Sequence, residues 1–222
     1  EQLFLVLVRI SLELFEKYLV YRLRVSLATV SKICITSIRH IYIYLAQLPL
    51  WLPKMAIDGA MPPALKDRYS FTPVILDATG KCETSSSLAL QPSTFCQYKS
   101  TYTFKGLIGI SPNGIVTFVS ELFTGSISDK ECVERSGFLK LSFDDGDSVM
   151  ADKGFKIEDL LQNINVKLNI TLFLRKGHFT DEEVHVERRV RRIKDFHIFD
   201  KPMPISIASI ANEMWALGSL QF

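Results

Sequence analysis

Neither glycine nor proline occurs before Pro49 in this 222-residue chain. Turns built on those residues are therefore excluded from its first stretch, which is left free to be helical. Cysteine is scarce. Cys34, Cys82, Cys96 and Cys132 form no C-x-x-C pair, and no histidine stands at zinc-ligand spacing from them. A zinc finger and a disulfide-stapled scaffold are both excluded, and the four read as reduced, small hydrophobic residues of an intracellular protein. Long apolar runs are also missing. Leu3 to Val8 is short and stops at Arg9, and Ile33 to Leu52 carries Arg39 and His40 near its centre, where charge is costly in lipid. No membrane span is expected. Asn169-Ile170-Thr171 fits a glycosylation sequon, but nothing else reads as secreted. No internal repeat is visible. The chain opens on Glu1 and reads as a fragment or a processed product.

What is present is the balance of a globular protein, 47% hydrophobic and 23% charged, enough for one domain and a small appendage. The net charge of +2 hides an uneven distribution. Residues 1–54 carry seven Lys/Arg against three acids, and residues 55–174 carry eleven against fourteen. Residues 175–222 carry eight against seven, five of the eight within HVERRVRRIK. An acidic middle between basic flanks suits carboxylates that hold a cation and bases that hold phosphates. Scattered charge on a solvated surface is the alternative.

Residues 1–50 read as helical, broken at Arg24-Val25-Ser26 with Ser26 as N-cap of the second amphipathic piece. Two helices across such a turn describe a helix-turn-helix, with Thr29, Ser31, Lys32 and Arg39 turned to DNA. A helical hairpin that merely buries its apolar faces stays open, and the turn lacks the glycine often found there. Pro49, Pro53, Pro62 and Pro63 mark a linker. Thr72–Thr79, Tyr102–Ile110, Ile115–Ser120, Asp147–Asp152 and Val166–Leu174 then read as strands. Ser111-Pro112-Asn113-Gly114 is a type I turn between the second and third. Ser128-Asp129-Lys130-Glu131 and Thr180-Asp181-Glu182-Glu183 are capping boxes. The first opens a helix ending near Gly137, the second a helix running to about Asp195, and Ile157–Gln162 is a further short helix. The order predicts three antiparallel strands followed by a helical crossover into parallel pairing. This is an α/β fold: a ribonuclease H-like mixed sheet with flanking helices, preceded by a small all-α helix-turn-helix module. The divisions read 1–52 for the module, 53–71 for the linker and 72–222 for the α/β domain.

Asp77 interrupts the apolar strand VILDAT, and Asp152 follows SVMA. A carboxylate in an apolar strand is costly unless paired, hydrogen-bonded or metal-bound. If the first and fourth strands are neighbours, the two carboxylates converge and repel, and a divalent cation with hard oxygen preference, Mg²⁺, resolves the conflict. Glu187 is the candidate third ligand, with Glu183 one turn earlier on its face. Arg188, Arg191 and Arg192, beside Arg189 and Lys194, offer counter-charge to a phosphate backbone. Strand-end caps and a salt-laced surface helix are the plainer alternatives.

Several segments together resemble the DDE superfamily endonuclease domain of Harbinger-related eukaryotic transposases: VILDAT, YKSTYTFKGLIGISPNG, FVSELFTGSISDKE, GDSVMADKGF and HVERRVRRIK. LVYRLRVSLATVSKI is similar to the helix-turn-helix in front of that domain. The resemblance covers nearly the whole chain. It implies Asp77, Asp152 and Glu187 as catalytic residues and ligands of two divalent ions, Mg²⁺ or Mn²⁺, with DNA as substrate. It also implies a separate DNA-binding partner protein, a homodimer as the assembly to test, and a nuclear location. Lys99, Lys105 and Asp129 fall in matching motifs as substrate-side or supporting residues. Three departures stand out. The stretch before Glu187 is about eleven residues short, or about three helical turns, so that 35 positions separate Asp152 from Glu187. Arg24 replaces a turn glycine, and Gly80 stands where a Glu commonly follows. These fit a decayed transposon copy or a mis-spliced gene. A catalytically inactive, transposon-derived DNA-binding protein is the alternative function, and a ribonuclease H-like enzyme acting on RNA is a third.

Overall fold

A computed structural model describes residues 2–12, 14–61, 63, 66, 70–84, 95–96, 101–152, 154–170, 203–204 and 210–220. Helices come first: α1 (Gln2–Leu12), α2 (Glu16–Leu23) and α3 (Leu27–Leu45). The expected break after Arg24 is there, and a further one near Leu14 and Phe15 divides what reads as continuous helix. Ser26 caps α3 as expected, its hydroxyl accepting from the Thr29 N–H at 3.1 Å. Arg24 caps α2 with φ 55° and ψ 39°, the left-handed conformation that explains why glycine is expected at this turn. A fourth helix, α4 (Lys54–Ala60), forms within the proline-marked stretch, with Pro53 as its N-cap.

Among the described residues the sheet has eight strands, β1 (Val74–Thr84), β2 (Phe95–Cys96), β3 (Thr101–Ile110), β4 (Val116–Val119), β5 (Phe123–Thr124), β6 (Ser148–Ala151), β7 (Lys167–Ile170) and β8 (Met203–Pro204). Its main path runs β2-β3-β1-β6-β7. β1 pairs antiparallel with β3 and parallel with β6, which is parallel to β7. β4 and β5 pair with β3, and β8 with the far end of β1. This is the ribonuclease H-like α/β arrangement, antiparallel on one side of β1 and parallel on the other. The turn between β3 and β4 is the one its sequence requires: Gly114 donates to the Ser111 carbonyl at 2.7 Å and has φ 88°.

Helix α5 (Asp129–Arg135) follows β5, capped by Ser128, whose hydroxyl accepts from the Glu131 N–H at 3.1 Å. The Glu131 carboxylate pairs with Arg135, one turn on, so the serine half of the expected capping box is seen while its glutamate turns forward along the helix. Gly137, at φ 82°, ends the segment. α6 (Glu158–Gln162) leads into β7, and α7 (Ala211–Ser219) closes the described chain. The second expected capping box and its helix lie outside the described residues, as does the end of the strand expected to reach Leu174.

Strand alternation gives the sheet two cores. Val74, Leu76, Leu107, Val149 and Ala151 face Val133, Phe138, Ile157 and Leu161. On the other face, Ile108 and Ile110 join Leu5, Val6, Leu19, Val30, Cys34, Ile38, Met214 and Trp215 in one cluster. The N-terminal helices therefore share a core with the sheet. Val30, Cys34 and Ile38 recur every four residues on α3, forming its buried stripe. Each fully buried side chain of this size contributes about 1.5–3 kcal/mol. No described helix is long and apolar enough to cross a membrane.

Candidate functional site

The pairing of β1 with β6 ends at Leu76 opposite Ala151. Extending that register by one residue sets Asp77 beside Asp152, where the two parallel strands part. Leu76 and Ala151 point into one core, so Asp77 belongs to the opposite face, with Ile75 and its cross-strand partner Ile108. Asp77 is half-buried and Asp152 is exposed. The chain turns immediately afterwards, with Phe155 N–H donating to the Asp152 carbonyl at 2.9 Å. The two predicted aspartates, 75 positions apart in sequence, thus follow a directly paired residue on each of two neighbouring strands.

The sheet around this edge is held by contacts that no local pattern announces. Asp147, 3% exposed, accepts from Lys54 Nζ at 3.2 Å and from the Asp144 N–H at 2.9 Å, which ties α4 to the start of β6. The Asn169 amide donates to the Ser148 hydroxyl at 2.9 Å, so the sequon asparagine is part of the β6–β7 contact. Trp215 of α7 lies over Gly106 of β3 and donates to the Ser120 carbonyl at 2.9 Å. Gly106 faces Thr79, two residues beyond Asp77. Sequence reasoning missed the Lys54–Asp147 and Trp215–Ser120 contacts because each joins residues more than 90 positions apart, and the Trp215–Gly106 contact because it depends on the absence of a side chain.

Lys105 sits on the other face of β3, opposite Gly80, and donates to the Ile127 carbonyl at 2.7 Å and to Asp129 Oδ1 at 2.9 Å. Its ammonium thus fixes the loop before α5. Cys132, in the same region, is buried, and burial pushes its thiol up to about 11. Burial also raises Cys34, so both read as the inert core cysteines expected. On α3, Thr29 and Lys32 are exposed and Ser31 is half-buried; the Thr29 hydroxyl also meets the Ser26 hydroxyl at 2.8 Å. Glu187, Glu183, Lys99, Arg188, Arg189, Arg191, Arg192 and Lys194 lie outside the described residues.

Asp77 lies inside β1 and is half-buried, while Asp152 comes directly after β6 and is exposed. Among the described residues no group of three His, Cys, Asp or Glu side chains comes close enough to hold a metal ion. The sheet, antiparallel on one side of β1 and parallel on the other, is that of a ribonuclease H-like α/β domain. Residues 78–217, more than half of the chain, match the family described as DDE superfamily endonuclease, and the chain belongs to that family. The match begins one residue after Asp77 and includes Asp152. No curated protein matches the chain.

Proposed function

We propose that this chain is the metal-dependent nuclease core of a DNA transposase, or of a gene descended from one, cutting phosphodiester bonds with Asp77, Asp152 and Glu187. The observation that supports the reading is the pairing of Leu76 with Ala151, the residues directly before Asp77 and Asp152, in a member of the DDE superfamily. The two aspartates, with Glu187 as third ligand, would hold a pair of divalent ions. Mg²⁺ or Mn²⁺ bound there supplies the Lewis acidity that activates a water and stabilises the departing 3′ oxygen. With ions held by these carboxylates, in-line attack by water would form an O–P bond on one side and break the P–O3′ bond on the other, a proton of the water ending on the released 3′-OH. That hydroxyl then attacks target DNA in a second transfer of the same kind. α2 and α3 act as the helix-turn-helix, offering Thr29, Ser31 and Lys32 to the major groove, and Lys99, Arg188, Arg191 and Arg192 hold phosphates. Lys105, engaged by Asp129, keeps the α5 loop in place. The setting proposed is the nucleus, with a separate DNA-binding partner and a homodimer as the assemblies to test.

The test is nicking of supercoiled plasmid in Mg²⁺. The parent chain should relax the plasmid, while Asp77→Ala and Asp152→Ala should lose the activity. Equal nicking by parent and variants would refute the reading. The short interval between Asp152 and Glu187 favours a second reading, a DNA-binding protein without catalysis. Titration with Mn²⁺ followed by electron paramagnetic resonance separates the two, since the inactive form would bind the ion weakly and cut nothing.

A further inference from the structure

From Lys17 to Ile57 the chain contains no acidic residue, yet it carries Lys17, Arg22, Arg24, Lys32, Arg39 and Lys54. Two of these cations are neutralised from a distance, Arg39 by Glu213 at 4.0 Å and Lys54 by Asp147 at 3.2 Å. Lys17, Arg22, Arg24 and Lys32 are all exposed. Among the described residues they enter no ion pair, and Arg22 rests only over the Tyr18 ring, 6.0 Å from its centre. All four belong to the α2–α3 unit: Lys17 and Arg22 on α2, Arg24 at its C-cap and Lys32 on α3. Lys17 and Tyr21, the latter 82% exposed, lie one turn apart on α2, and Arg24 follows at its left-handed C-cap. Lys32 lies on the exposed stripe of α3 with Thr29 and Thr36, across from the buried Val30, Cys34 and Ile38.

Arg24 also has an unfavourable backbone. At φ 55° its Cβ crowds the carbonyl oxygen, a strain glycine would not have. Asn165, the other described residue of this kind besides glycine, is a type that tolerates the conformation; arginine is not. Strained backbone of this sort gathers at functional positions. Backbone geometry disfavours an arginine here, and no acid of the described fold uses its charge. We propose that Arg24 is a phosphate anchor, its guanidinium at the α2–α3 turn binding a backbone phosphate of duplex DNA with Lys17, Arg22 and Lys32 around it. The proposal rests on the reading of α2 and α3 as a helix-turn-helix. Arginine's planar fork matches two phosphate oxygens, which a glycine turn cannot hold.

The test is fluorescence anisotropy of the full chain on labelled duplex DNA across a KCl series, with melting temperatures taken in parallel. Each phosphate contact contributes about 0.9 to the slope of log affinity against log salt, so losing one should weaken binding about eightfold at roughly 0.1 M salt. Arg24→Gly should lose that much affinity and slope and yet melt at a higher temperature. Arg24→Gln should lose the same affinity and slope with no rise in melting temperature, which separates charge from backbone. Either variant binding DNA with the parent's slope overturns the anchor while leaving the helix-turn-helix reading intact. A parent chain with no salt-dependent affinity for duplex DNA sinks that reading and the anchor with it.

Discussion

Replacing Gly106 by alanine gives the sharpest test of how the sheet is held. A methyl at Gly106 would lie 2.4 and 2.5 Å from two carbons of the Trp215 indole and 2.9 Å from its nitrogen. Carbon atoms prefer about 3.5–4.0 Å, so the indole or the strand must retreat by roughly 1 Å. The indole has little room, being 1% exposed and bonded to the Ser120 carbonyl. Overpacking of this kind costs about 1–3 kcal/mol, and a lost indole hydrogen bond about 1 kcal/mol more. Alanine returns roughly 0.5–1 kcal/mol by narrowing the unfolded ensemble. The net expectation is a loss of about 1–3 kcal/mol, which for a chain of this size lowers the melting point by roughly 2–12 °C. Circular dichroism follows the melt, and tryptophan emission reports the displaced ring. Gly59, in α4, is the matched control: no atom lies within 4 Å of its missing Cβ, so Gly59→Ala should stabilise by up to about 1 kcal/mol. A Gly106→Ala protein that melts at or above the parent would refute the packing argument. In a Trp215→Leu background the cost of Gly106→Ala should shrink, since the two changes act on one contact.

Ser26→Ala removes the hydroxyl that caps α3 and should cost about 1 kcal/mol, read as a lower denaturant midpoint; an unchanged midpoint would show the cap to be idle. Cys132, with its thiol raised to about 11 by burial, should resist iodoacetamide at pH 8 in the folded protein and react once the chain is denatured. The fold holds that proton more tightly than the unfolded chain does. Its contribution to stability is therefore full below about pH 9 and fades as the pH rises towards 11, so a chain whose stability is flat over that range would contradict the burial.

Local chemistry made much of this protein legible from its sequence. The Ser-Pro-Asn-Gly turn, the serine caps at Ser26 and Ser128 and the apolar strands around Asp77 and Asp152 follow from residues within a few positions of one another. The strand order then leaves few topologies, and the parallel return of β6 beside β1 is among them. That is why the convergence of Asp77 with Asp152 could be expected. The expectation for Glu187 falls outside the described residues and rests on resemblance.

Other features depend on residues that meet only when the chain is folded. Nothing near Trp215 in sequence says that its ring will rest on a glycine of β3, and nothing near Lys54 says that its ammonium will meet a buried Asp147. The apolar residues of α1 and α3 show that those helices must cover something; only the fold shows that they cover Ile108 and Ile110 on the sheet face that bears Asp77. Sequence alone determined most of the strands and the caps and turns between them, because capping, turn geometry and strand alternation act over a few residues. Tertiary structure decided which faces meet and which charges are left unpaired, because burial and ion pairing depend on distances in space that sequence separation does not set.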